Sequence, residues 1–278
     1  MGNSSSWELS RRTLSLERPL VMGILNVTPD SFSDGNRYFS TARAVERALE
    51  LEGEGADIID IGGESTRPNA PRVSLEEELA RVVPVIEGLA GKLRVPISID
   101  TYKAEVARAA CAAGAEIVND VSGLCFDPGM ARVVAEARAG VVLMHTRGTP
   151  DRMQDDTGYR DLLGDVKFYL RESTELARQA GIPQSRIVVD PGIGFAKSVE
   201  GNLELIRRLA ELQELGCPIL VGPSRKSFIG AVIGDRDRDR SFGTAAAVAV
   251  SILNGAAIVR VHDVAAMRDV VLVTRALA

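Results

Sequence analysis

The chain has 278 residues, 45% of them hydrophobic and 26% charged, with a net charge of −5 and a pI near 5.3. This ordinary globular composition, without positive excess, excludes a nucleic-acid-tracking or membrane-surface protein. No apolar run approaches the roughly 18–20 residues of a membrane span, which excludes a helical membrane protein.

Residues 1–18 read as an N-terminal extension, flexible or a short strand or hairpin, ahead of one domain over 19–278. Met1–Ser6 formally fits an N-myristoylation pattern and is expected to be a disordered tail. Short β-branched runs then recur at Leu20–Leu25, Asp57–Ile61, Pro96–Ile99, Glu116–Val118, Val141–Met144, Arg186–Val189, Pro218–Val221 and Ala257–Val261. Most are continuously apolar, the mark of strands buried on both faces.

Helical spacing fills the intervals at Ala42–Glu54, Leu75–Leu89, Lys103–Ala113, Pro128–Ala139, Asp161–Ala180, Val199–Leu215, Phe242–Leu253 and Val264–Leu277. Ser74 with Glu77 forms a capping box. Gly55, Gly114, Gly140, Gly181 and Gly216 are expected as left-handed residues just past helices. Cys111 is expected to be a small core residue. It forms no CxxC pair with Cys125 or Cys217, and an odd count cannot close fully into disulfides, so a reducing, cytoplasmic setting is expected. Gly234–Arg240 alternates sign, cancels its own charge and reads as a solvated loop rather than a binding patch.

Strand and helix alternate eight times within about 250 residues. That predicts an α/β chain folded as a single-domain (β/α)8 TIM barrel, with the active site at the C-terminal ends of the strands. An open dinucleotide-binding sheet is disfavoured, because Gly192-Ile193-Gly194 lacks a third glycine.

Each strand runs into polar residues: Asn26, then Gly62-Gly63-Glu64-Ser65-Thr66-Arg67-Pro68, Asp100-Thr101, Asn119-Asp120, His145, Asp190-Pro191-Gly192, Gly222-Pro223-Ser224-Arg225-Lys226-Ser227 and Arg260-Val261-His262-Asp263. A parallel barrel gathers all these ends around one mouth. Asp100, Asn119, Asp190 and Lys226 then suit a flat heterocycle with an amino-amide edge, such as a pterin. Asn26, Thr66, Arg260 and His262 suit anionic oxygens, because Arg grips phosphate bidentately and Asn can ligate Mg2+. Arg260 and His262 are two apart on a strand and share a face. His145 reads as a structural or pocket-lining residue, and no zinc-ligand spacing exists.

Asn26-Val27-Thr28-Pro29-Asp30-Ser31-Phe32-Ser33-Asp34-Gly35 and Asp60-Ile61-Gly62-Gly63-Glu64-Ser65-Thr66-Arg67-Pro68 resemble the two signature loops of the dihydropteroate synthases. The later motifs resemble that family in order, from about Pro19 to the C-terminus. Asn69, where the family often has Gly, and Thr146-Arg147, where Met-Gln is common, depart from it without touching the residues concerned.

The resemblance implies condensation of a dihydropterin diphosphate with p-aminobenzoate. It places the pterin on Asp100, Asn119, Asp190 and Lys226, between Met144 and Phe195. It places the diphosphate near Asn26, Thr66, Arg260 and His262, with the cofactor Mg2+ on Asn26. The p-aminobenzoate falls near Phe32, Thr66, Arg67 and Pro68, its carboxylate at Ser227 and Ser224.

Asp100, Arg260 and His262 are the expected catalytic groups, acting electrostatically on departing pyrophosphate and a developing cation. No protein nucleophile is needed, which fits the lack of a triad. The partners implied are small molecules, with no nucleic acid and no membrane, and the family analogy implies a homodimer. The loops Thr28–Tyr38 and Gly62–Arg72 are expected to close over the diphosphate. Two other readings share the pterin set: a methyltetrahydrofolate methyltransferase-like barrel, which needs neither the Ser224–Ser227 loop nor the Arg260–Asp263 strand end, and a catalytically silent pterin-binding paralogue.

Overall fold

The structure is a computed structural model that describes residues 5–28, 37–65, 72–149 and 152–278, with backbone alone for 37–40. A short antiparallel hairpin, β1 (Ser6–Glu8) and β2 (Thr13–Ser15), comes first. Eight parallel strands follow: β3 (Leu20–Asn26), β4 (Ile58–Gly62), β5 (Ile97–Asp100), β6 (Ile117–Asp120), β7 (Gly140–Met144), β8 (Ile187–Asp190), β9 (Ile219–Val221) and β10 (Ala256–Val261). They pair in sequence order, and β10 closes the barrel against β3. The predicted (β/α)8 barrel is therefore the fold, each expected strand lying within two residues of the observed one.

The helices are α1 (Arg37–Gly53), α2 (Leu75–Leu89), α3 (Ala104–Ala113), α4 (Met130–Ala137), α5 (Leu162–Gln179), α6 (Val199–Arg207), α7 (Ser227–Ile233), α8 (Ser241–Leu253) and α9 (Val264–Leu277). Ser74 caps α2 by accepting from the Glu77 N–H at 3.2 Å, as the capping box predicts.

Side-chain alternation along the strands builds two layers. Val21, Leu25, Ile59, Ile61, Ile99, Val118, Val141, Leu143, Val189, Val221 and Val259 point outward into the helices. Leu20, Met22, Ile58, Ile117, Val142, Val188, Leu220 and Ile258 point inward and fill the barrel axis. Trp7 and Leu9 complete that inner cluster from the hairpin and plug the N-terminal end. The Trp7 indole donates to the Arg186 carbonyl at 2.9 Å.

Three expectations are corrected. Gly140 is not a helix cap: it opens β7, and α4 ends on Arg138 in the left-handed region. A side chain at Gly140 would meet Leu9 at 2.5 Å and Trp7 at 3.1 Å, so the plug is what demands glycine there. The segment Val199–Leu215 is not one helix: α6 gives way at Arg208 to a 3-10 stretch, Leu209–Leu215. Cys111 is half-buried on α3, packed against the edge of the core rather than lying within it. The helix α7, which no periodicity predicted, stands between β9 and α8.

Candidate active site

The inward alternation that fills the barrel continues upward into the site. On five of the eight strands the residue two beyond the inner apolar one is polar or small. Ile58 is followed by Asp60, Ile117 by Asn119, Val188 by Asp190, Leu220 by Gly222 and Ile258 by Arg260. Register adds the lateral order: Asp100 lies beside Gly62 and Asn119, and Met144 beside Asp190. The barrel itself therefore converts widely separated residues into one polar layer.

Arg260 is the hub of that layer. Its Nε donates to Asp60 Oδ2 and one Nη to Asp100 Oδ2, each at 2.6 Å. Asn119 Nδ2 donates to the same Asp60 oxygen at 3.1 Å. Asp60 is fully buried and was not singled out from the sequence. The signal was present, since a carboxylate inside Ile58-Ile59-Asp60-Ile61 has no reason to be in an apolar strand unless paired. Among the described residues none donates to Asp60 Oδ1 or Asp100 Oδ1, though both are buried. Acceptors left this way in an enclosed site suit a ligand that brings N–H donors.

Burial pushes the Asp100 carboxyl up to about 7, against the lowering effect of Arg260, with Asp60 and Glu78 adding to the rise. Burial likewise lifts Asp190 to about 6, while the Gly192 N–H, Lys226, Lys197 and Arg260 oppose it. Asp190 Oδ1 accepts from the Gly192 N–H at 2.7 Å. The Lys226 ammonium lies 4.0 Å from the Phe195 ring centroid, and Phe195 packs with Met144, Met153 and Ala196.

A cavity of about 720 Å3 opens over this layer, lined among others by Asn26, Asp100, Ser224, Lys226, Arg260 and His262. The expected residues Asn26, Asp100, Lys226, Ser224, Ser227, Arg260 and His262 all border it. Asn119, Asp190, Met144 and Phe195 adjoin it through the contacts just given. Ser224 Oγ and His262 Nδ1 are 2.9 Å apart. Arg225 adopts a left-handed φ of 58°, held by Thr244, by Asp263 and by Arg240. That strained corner aims Lys226 and Ser227 at the mouth. Arg236–Arg240, read as a solvated loop, is exposed but also edges the cavity.

Phe32, Thr66, Arg67 and Pro68 lie outside the described residues, as do most of Thr28–Tyr38 and Gly62–Arg72. The roots of the second loop are clamped. Glu64 accepts from Lys103 Nζ at 2.6 Å, from Tyr102 Oη at 2.8 Å and from the Val73 N–H at 3.3 Å. Sequence reasoning missed Glu64 and Lys103 as a pair, because nothing in linear spacing joins them. His145 is buried away from the cavity lining, its Nδ1 3.0 Å from Lys197 Nζ.

Fold and mouth together define a (β/α)8 barrel enzyme with a buried, two-signed pocket at its strand ends. The model of the family described as pterin binding enzyme matches residues 22–262. A dihydropteroate synthase from a Synechocystis species is 51% identical over 262 residues, covering 94% of this chain and 91% of its own. The solved Xanthomonas albilineans dihydropteroate synthase with 4-aminobenzoic acid superposes with a TM-score of 0.91 at 46% identity, covering 99% of this chain and 98% of its own. Another structure of the Xanthomonas albilineans enzyme holds 7,8-dihydropteroate, with a TM-score of 0.88 at 44% identity, covering 98% of each chain. The chain belongs to the pterin-binding enzymes and, within them, to the dihydropteroate synthase family of transferases.

Proposed function

We propose that this chain joins (7,8-dihydropterin-6-yl)methyl diphosphate to p-aminobenzoate, giving 7,8-dihydropteroate and pyrophosphate. The observation that carries this reading is the convergence of Asp60, Asp100, Asn119 and Arg260 beneath a cavity that also reaches Lys226, Ser224 and His262. The compounds in the Xanthomonas albilineans structures match the second substrate and the product.

In this reading the ionised Asp190 and Asp100, with Asn119, take the amino-amide edge of the pterin. Lys226 donates to a ring acceptor, and Phe195 and Met144 flank the ring. Arg260 and His262 stabilise the diphosphate. Two nitrogens of the Arg260 guanidinium are held by carboxylates, and the remaining Nη makes no hydrogen bond among the described residues. The C–O bond to diphosphate breaks and the methylene cation is shared with the ring beside Asp100 and Asp190. The arylamine nitrogen then forms the C–N bond and releases a proton. Ser224 and Ser227 receive the benzoate carboxylate, with Phe32, Thr66, Arg67 and Pro68 beside the arylamine and Thr66 also near the diphosphate.

Asn26 offers one neutral hard oxygen. Among the described residues no group of three acidic, His or Cys side chains is placed to hold a metal. That donor set fits Mg2+, which keeps its waters and binds through few protein oxygens together with substrate phosphates. Asn26 would hold the ion, which when bound supplies neutralisation of charge on the leaving diphosphate.

The working form is a homodimer in a cytoplasmic setting. Large apolar side chains on α8 and α9 support the first: Phe242 is 89% exposed, Leu277 81%, Val273 59% and Leu253 58%. Three free thiols support the second. Among the described residues no helix is long and apolar enough to cross a membrane.

The deciding experiment is release of pyrophosphate with each substrate, with both, and with Mg2+ withheld. Release that needs all three supports the reading. No release from folded protein given both substrates and Mg2+ would leave a silent pterin binder instead.

A further inference from the structure

Between β8 and α6 the chain turns through three left-handed residues, Gly192 (φ 72°), Gly194 (φ 84°) and Ala196 (φ 50°). The turn is tightly shaped. A Cβ on Gly192 would meet the His145 carbonyl oxygen at 2.0 Å, and one on Gly194 would meet Lys226 Cδ at 2.6 Å. Inside it sits Lys197, 4% exposed. Its ammonium donates to the Phe195 carbonyl at 2.8 Å and lies 3.0 Å from His145 Nδ1. The His145 ring stands edge-on to Tyr169 at 5.0 Å. Burial, with Lys197 and Arg147 adding to it, pushes its protonation down to about 2, so it is a neutral acceptor.

A buried ammonium whose hydrogen-bond partners are neutral is costly to desolvate. Lys197 does not border the ligand cavity, so contact with substrate does not account for it. What it touches is the backbone of Phe195, whose ring lies against Lys226. The charged groups facing Lys197 are Asp190, Lys226 and Arg147, and burial brings the ammonium down to about 7. Those facing Asp190 are Lys226, Lys197 and Arg260, all favouring its ionised form.

We propose that Lys197 is a positioning residue for the pterin: its ammonium, held by the neutral His145, fixes the Asp190–Ala196 turn so that the Asp190 carboxylate and the Phe195 ring are presented to the ligand. The inference rests on the pterin-site reading above. It separates two effects, a shape effect through the Phe195 carbonyl and a charge effect through Asp190.

The test measures the dissociation constant of an unreactive 6-substituted pterin between pH 5.5 and 8.5, with steady-state constants for both substrates. Lys197→Met is expected to weaken pterin binding at least tenfold at pH 6.5, where the ammonium is still mostly protonated. It should also move the acidic limb of binding to higher pH, because a cation that favours ionised Asp190 is gone. The KM for p-aminobenzoate should change less than threefold. A folded Lys197→Met protein with pterin affinity within threefold of wild type and an unmoved acidic limb overturns the proposal. Should that variant not fold, Lys197→Gln, which keeps a donor for Phe195, must still shift the acidic limb upward, and an unmoved limb overturns the proposal equally. Wild-type protein that binds no pterin refutes the functional reading as well, whereas wild type that binds beside an indifferent variant refutes the Lys197 role alone.

Discussion

Arg260 serves two carboxylates at once, and this arrangement sets the electrostatics of the whole pocket. Asp60 and Asp100 together carry more negative charge than one guanidinium cancels, and Lys226 supplies a further cation at the rim. On the proposed reading, removing Arg260 strips a preorganised donor from the leaving-group side. Arg260→Ala should lose on the order of 10²–10³ in turnover, about 2.7–4 kcal/mol, in a pyrophosphate-release assay. Near-normal turnover would contradict the role. The same carboxylates set the pH response. Asp190 titrates at about 6 and Asp100 at about 7, and each grips N–H donors best when ionised, so pterin affinity should fall as pH drops from 8 to 5.5. Stability runs the other way. Both folded values lie above the ordinary 3.8, so the stabilising contribution is full below about 4 and is lost as pH rises through 6–7. Asp190→Asn should therefore melt higher than wild type above pH 7, with a gain that shrinks on acidification, while losing pterin affinity. Calorimetric melting across that range, with no pH-dependent gap, would contradict the assignment.

At the scale of elements, the hairpin β1–β2 shows how function and stability occupy opposite ends of the barrel. Trp7 closes the end away from the mouth, and Gly140 is small because Trp7 and Leu9 press on it. Trp7→Ala should cost about 3–5 kcal/mol in denaturant unfolding. Substrate constants of the folded fraction should stay near wild type, and a large change in KM would show that the two ends are coupled. The helices that periodicity misread are instructive too. Leu209 and Leu212 are both buried, and a spacing of three fits a 3-10 turn as well as an α-helix, so the break at Arg208 left no mark in the pattern. The helix α7 has seven residues and contains Gly230, too short to display a period.

For the whole molecule, an unbroken ring of eight strands leaves no edge in the barrel sheet to pair with another chain. The dimer proposed above would then use helix faces, and α8 and α9 expose large apolar side chains for it. Sedimentation should give about twice the 29.7 kDa chain mass, and Phe242→Asp should reduce it toward one. A wild-type monomer at micromolar concentration would refute the dimer.

The sequence by itself determined the fold class, because eight apolar strands separated by helical segments have few ways to bury both faces. It also carried the strand-end residues Asn26, Asp100, Asn119, Asp190, Lys226 and Arg260. Only tertiary structure decided which of them share a hydrogen bond. Asp60 and Arg260 stand 200 positions apart and meet at 2.6 Å, and Lys197 reaches His145 across 52. Local pattern reports how a residue sits on its own strand, whereas pairing across the barrel depends on closure and register, which no single segment encodes.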